Sequence, residues 1–184
     1  GLVKVAVLDS GTDMMSSEIK KSVNLVDDAD TIGIDVTGHG TAVANIIKSD
    51  KKSVPTTGVI NDNSAIDIYS VKVLDDNNEA PVSRIISAIQ WCIDNDINII
   101  NMSFGMNSDS KLLHNIIKRA EKKGILLIAS AGNSVDAIQV PAAYSEVIAV
   151  GSVNENMKVS DFSAKGDEIE IYAPGENIPI SEQW

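Results

Sequence analysis

The sequence predicts an α/β fold: a mainly parallel sheet with helices on both faces. Short apolar runs alternate along the chain with stretches whose apolar residues recur at helical spacing. The runs are continuous rather than alternating apolar with polar, so they read as strands covered on both sides. Polar or glycine-bearing turns follow several of these strands. In such a sheet those turns collect along one edge, where a single site can be built.

The first strand is Val3 to Leu8, ending at Asp9-Ser10-Gly11-Thr12. Residues 13 to 37 read as a polar loop with solvated acids at Asp27, Asp28, Asp30 and Asp35. These acids lack the alternating spacing and the glycine of a calcium loop. Gly38-His39-Gly40 then opens a small-residue helix, Thr41 to Lys48, and Ser49 to Thr57 reads as a loop. Asp67 to Leu74 is the next strand, and Asp75 to Pro81 a polar connection. Ser83 to Asn95 is a helix, with Ile85, Ile86, Ile89 and Ile93 in register. Ile97 to Met102 is a strand that runs into Ser103-Phe104-Gly105. Ser110 to Lys123 is a helix stopped by Gly124; its His114 reads as a surface or half-buried residue without a role. Ile125 to Ala129 is a strand ending at Ser130-Ala131-Gly132-Asn133. Val147 to Val153 and Ile169 to Tyr172 are the last strands, before Ala173-Pro174-Gly175.

Composition narrows the function. The 184 residues, 43% apolar and 22% charged, suit one globular domain with a real core, and no repeat, linker or low-complexity tract divides them. A formal charge of −11 argues against nucleic acid and anionic lipid as partners. No run approaches the roughly eighteen apolar residues of a membrane span. No signal peptide is visible; the chain opens at Gly1-Leu2 directly before a strand, as a processed or trimmed terminus would. The single cysteine, Cys92, excludes an internal disulfide and reads as buried filler beside Trp91 and Ile93.

An acid, a histidine and a side-chain amide on one sheet edge suit acyl transfer. A buried acid fixes one tautomer of the imidazole, and the free ring nitrogen takes a proton from a nucleophile. An amide donates to the oxyanion that develops on the carbonyl. Asp9, His39 and Asn133 are the candidates. Other chemistries fit less well. Asp9-Ser10-Gly11-Thr12 has the form of an aspartic-protease motif, but those folds are rich in antiparallel strands. A phosphate-transferring aspartate would want a second acid where Gly11 stands. The glycine spacing of a dinucleotide site is absent.

The sequence resembles the subtilisin-like serine proteases. Val5-Ala6-Val7-Leu8-Asp9-Ser10-Gly11 is similar to that family's aspartate motif, and Gly38-His39-Gly40-Thr41-Ala42-Val43-Ala44 to its histidine motif. Val71-Lys72-Val73-Leu74, Ile100-Asn101-Met102-Ser103-Phe104-Gly105, Ala131-Gly132-Asn133 and Val147-Ile148-Ala149-Val150-Gly151 resemble later segments in the same order. The order acid then histidine is that of subtilisin. The resemblance runs from Val3 to about Ile180.

The resemblance implies a three-layer fold, incomplete at the C-terminus, and a serine endopeptidase acting through an acyl-enzyme. Asp9 would orient His39, His39 would act as base and then acid, and Asn133 would stabilise the oxyanion. Ser103, Phe104 and Gly105 would pair with an extended peptide or protein substrate. With Ala129, Ser130, Ala131 and Gly132 they would wall the pocket for the residue before the cut, Gln139 lying near its floor. The Val140-Pro141 bond would be cis. The nucleophile's motif should follow Ala173-Pro174-Gly175, but the sequence ends at Trp184 and no serine stands in that context. Residues 1–184 therefore read as a partial peptidase domain, inactive alone, with the serine-bearing part elsewhere. A cleaved C-terminal piece or propeptide is an expected partner, and secretion or the cell envelope the family's usual location, with the cytoplasm as the alternative. No cofactor is expected; structural calcium occurs in the family, but its loop is not recognisable in Ser49 to Thr57, and no metal ligands are assigned. The competing reading is an inactive relative that keeps the groove as a binding or regulatory module.

Overall fold

The computed structural model describes residues 2–13, 19–48, 58–60 and 65–180. Among them, strands and helices follow in the order β1 (Val3–Asp9), β2 (Ile19–Asn24), α1 (His39–Ile47), β3 (Ile66–Lys72), α2 (Val82–Asp94), β4 (Ile99–Met102), α3 (Lys111–Lys122), β5 (Leu126–Ser130), β6 (Ile148–Val153) and β7 (Ile169–Pro174). The predicted loop at 49–57 lies outside the described residues. Two compact units divide the chain. One holds the residues up to Asn101 with Pro179 and Ile180, the other Met102–Ile178.

In the first unit the strand order is β2-β3-β1-β4. β1 pairs parallel with β3, from Val3 opposite Ile66 to Asp9 opposite Lys72. Both faces of β1 are covered: Val5, Ala6, Val7 and Leu8 are all buried. That double burial is why the sequence shows a continuous apolar run instead of alternation. α1 packs on β1, and Ala44 joins Val5, Val7, Ile66 and Ile68 in one core cluster. α2 buries Ile85, Ala88, Ile89 and Cys92, one stripe at helical spacing. Each such buried isoleucine contributes about 1.5–3 kcal/mol by leaving water.

β2 corrects the sequence reading, which left residues 13–37 as loop. Ile19–Asn24 pairs parallel with β3. Its partner lies on one side only, and Lys20 and Lys21 are exposed. An edge strand of this kind needs no apolar run, and its lysines discourage further pairing. The acidic stretch is corrected too. Asp27 and Asp28 are exposed as expected, but Asp35 is only 3% exposed.

In the second unit the order is β5-β6-β7, again parallel. α3 packs on β5 through buried Leu113, Ile116, Ile117 and Ala120. Its start is capped: Ser110 Oγ accepts from Leu113 N–H at 3.3 Å. Its end falls at Gly124, whose N–H bonds Glu121 O at 2.8 Å. Arg119 and Lys122 in the last turn complement the helix dipole. His114 is half-buried. Its ring stacks on Tyr144, with centroids 4.1 Å apart, and its Nε2 lies 2.8 Å from Glu146 Oε2. These contacts give it a packing role within the unit. The Val140-Pro141 peptide is cis. Cys92 is fully buried, and burial pushes its thiol up out of the reactive range.

Candidate active site

Asp9 ends β1 and is 1% exposed. Its Oδ1 accepts from Ser10 N–H at 2.7 Å and lies 2.7 Å from His39 Nδ1. A carboxylate can only accept, so Nδ1 carries the proton and Nε2 keeps its lone pair. Asp9 Oδ2 is buried with no partner among the described residues. The carboxylate is therefore compensated through Oδ1 alone, by the Ser10 N–H and the imidazole. The His39 side chain is 45% exposed, open to a reactant. Its hydrogen bond to Asp9 holds the imidazole pKa above the usual 6.5, burial opposes this, and the charges of Asp9 and Asp35 add to the rise.

The start of α1 explains how His39 is aimed. Gly38, the residue before the helix, is left-handed (φ 81°) and caps it with no side chain. The first helical N–H groups find acceptors elsewhere. Gly40 N–H donates to Ser10 Oγ at 2.9 Å, and Thr41 N–H to Asp35 Oδ2 at 2.9 Å. A side chain at Gly40 would run into the Gly11 carbonyl, so only glycine lets α1 come this close to the end of β1. Glycine thus sets the approach, and the hydroxyl and carboxylate fix the register.

In the second unit, Ser103, Phe104, Gly105, Ser130, Gly132, Asn133 and Gln139 line one open depression of about 380 Å³, together with Asn107 and Ser134. Gln139 spans it. A Cβ built on Gly132 would lie 2.5 Å from Gln139 Oε1, and one on Gly105 2.6 Å from the same atom. Gln139 Nε2 donates to Asn107 Oδ1 at 3.0 Å, and its backbone N–H to Ala131 O at 3.0 Å. Asn133 is exposed, in contrast to buried Ala129 and Ala131. Those two alanines alternate with Ser130 and Gly132 along the strand and its exit, so they face the core while the others line the depression.

The predicted residues thus gather as an acid–base pair in one unit and a polar depression in the other. Asn107 and Ser134 were missed because nothing in their local sequence marks them. Asp35 was missed as well, although it stands four residues before the histidine; its acidic neighbours made it look solvated.

The chain matches the model of the subtilase family over residues 2–184. It is 38% identical to the minor extracellular protease Epr of Bacillus subtilis over 186 residues, covering 96% of this chain and 27% of that protein. It is 36% identical to subtilisin E of Bacillus subtilis over 183 residues, covering 96% of this chain and 47% of that protein. To the major intracellular serine protease of Bacillus subtilis it is 38% identical over 191 residues, covering 96% and 59%. The chain therefore spans between about a quarter and three fifths of these relatives' lengths.

Proposed function

The chain belongs to the subtilase family, and on that premise we propose that it forms the acid–base and substrate-binding part of a serine endopeptidase. The observation that carries this is the 2.7 Å contact between His39 Nδ1 and the buried Asp9 carboxylate, with the rest of the ring accessible. A histidine held this way has a free Nε2 and a counter-charge for the proton it acquires.

In this reading His39 Nε2 removes the proton from a serine hydroxyl that lies outside these 184 residues. The serine oxygen attacks the peptide carbonyl, and Asn133 donates to the resulting oxyanion. His39 then returns the proton to the leaving amine, and water repeats the cycle on the acyl-enzyme. Ser103-Phe104-Gly105, Ser130 and Gly132 hold the substrate chain, with Gln139 and Asn107 offering a polar floor. The relatives' names include an extracellular and an intracellular protease, so membership of the family assigns no compartment. No helix among the described residues is long and apolar enough to cross a membrane.

The test is fluorophosphonate labelling of the protein expressed from its whole coding sequence, followed by peptide mapping and a protein-hydrolysis assay. One labelled serine downstream of Trp184, with hydrolysis, is expected. Neither label nor hydrolysis in a folded protein overturns the proposal and leaves the groove-bearing binding module in its place.

A further inference from the structure

We propose that Asp35 is a positioning residue for the His39–Asp9 pair, holding the end of β1 and the start of α1 in the one arrangement that sets the ring against the carboxylate. The inference rests on His39 being the base.

Asp35 is 3% exposed and has no cation within its own hydrogen bonds. A carboxylate so deeply buried is costly unless donors surround it. Donors do. Oδ1 accepts from Ser10 Oγ at 2.8 Å, Gly38 N–H at 2.9 Å and Thr37 N–H at 3.2 Å. Oδ2 accepts from Thr41 N–H at 2.9 Å and Thr41 Oγ at 2.6 Å. Burial alone would raise this carboxyl's pKa; the bonds from Thr41, Ser10 and Gly38 more than offset it and hold it below the usual carboxylate range.

The proton directions are consistent throughout. Ser10 has one hydroxyl proton and gives it to Asp35, so its oxygen is free to accept Gly40 N–H. Thr41 gives its proton to Asp35 and accepts Asp13 N–H at 2.8 Å. Ser10 also donates its backbone N–H to Asp9 Oδ1, the oxygen that meets His39. Asp35 thus reaches both partners. It bonds the residue after Asp9, and it bonds the residues before and two after His39. All its partners are donors, so an asparagine, which must turn an NH₂ toward one side, cannot replace it without breaking bonds.

Its negative charge also favours a proton on His39, beside the larger effect of Asp9. The other charged groups at this corner are Asp13 and, from β3, Lys72, which holds Ile34 O at 2.8 Å and Asp76 at 3.3 Å. Lys72 is committed to those partners, so it does not neutralise Asp35 by a direct bond.

The test is D35N in the protein expressed from its whole coding sequence, with the ring protons of His39 and His114 followed by NMR against pH. His39 should titrate lower by about half a unit or more, His114 should keep its midpoint, and kcat should fall at least about tenfold with KM little changed. His39 titrating within about 0.1 unit of the parent, with His114 unmoved, overturns the proposal. If D35N does not fold, T41V decides, since it removes the hydroxyl bond to Asp35, with the one from Asp13 N–H, and keeps the charge. A fall in kcat of about threefold or more, with the His39 midpoint retained, supports the proposal, and an unchanged kcat overturns it. The titration needs no nucleophile. Absence of proteolysis would therefore sink the protease reading while the His39 midpoint still decides the role of Asp35.

Discussion

Replacing Asp9 by asparagine removes one charge from a 2.7 Å contact and changes almost nothing in size. Its cost falls on the step in which His39 becomes an imidazolium. Two unit charges about 4 Å apart interact by about 4 kcal/mol at an effective dielectric constant near 20. That value, not the dry-interior one, applies because the His39 side chain is 45% exposed and solvent screens the pair. At about 1.4 kcal/mol per decade, 4 kcal/mol is about three orders of magnitude in rate. A further loss comes from the tautomer. The asparagine can offer an N–H to Nδ1, which moves the imidazole proton to Nε2, where it can no longer accept. The expected fall in kcat for D9N is about three to four orders of magnitude, with KM little changed. The assay is hydrolysis of a chromogenic peptide by the protein expressed from its whole coding sequence, across pH, with circular dichroism to confirm folding. A loss under tenfold in a folded variant, or a loss confined to KM, would refute the reasoning.

Other outcomes follow from the same geometry. Asn133→Leu should lower kcat by about two to three orders of magnitude with little change in KM, a size taken from subtilisin's own oxyanion asparagine; a loss under about threefold removes Asn133 from the mechanism. Because the Asp9 bond holds His39 above 6.5, kcat/KM should rise with pH through a limb centred above that value, and a limb at or below 6.5 contradicts the pair as described. The linked stability runs the other way: the His39 contribution is fully present below 6.5 and is lost as pH rises through its raised pKa, which thermal melts of the parent and H39Q across this interval would show. Gly132→Ala should destabilise by about 1–3 kcal/mol, since φ there is 103° and the new Cβ meets Gln139 Oε1 at 2.5 Å. Adding Q139A should recover part of the lost melting temperature by removing the collision and leaving the backbone strain; no recovery would mean that the contact carries no cost.

The chain shows in its sequence the elements whose burial is two-sided. β1 is a continuous apolar run because both of its faces are covered, and α2 and α3 keep helical spacing because one stripe is covered. Asp9 and His39 were legible since each sits where a strand or helix meets a glycine-bearing turn, and the structure joins them. β2 was not legible. Ile19-Lys20-Lys21-Ser22-Val23-Asn24 pairs through its backbone, and backbone hydrogen bonding leaves no mark on side-chain pattern. Asp35 was hidden for a related reason. A solvated aspartate and one enclosed by backbone and hydroxyl donors are written with the same letter, and only the fold brings Ser10 and Thr41 to it. Asn107 and Ser134 lie in the depression through the path of two loops, which no local periodicity encodes.

The Asp9 carbonyl accepts two backbone bonds from just beyond β3, Val73 N–H at 2.8 Å and Leu74 N–H at 3.1 Å. Both residues are buried, so these amides exchange with solvent deuterium only when that corner opens. The two protons are therefore built-in gauges of how often the acid leaves its place. Their exchange rates read the opening free energy of the Asp9 end without any change of sequence, and comparison with amides in the middle of β1 separates local release of the acid from unfolding of the unit.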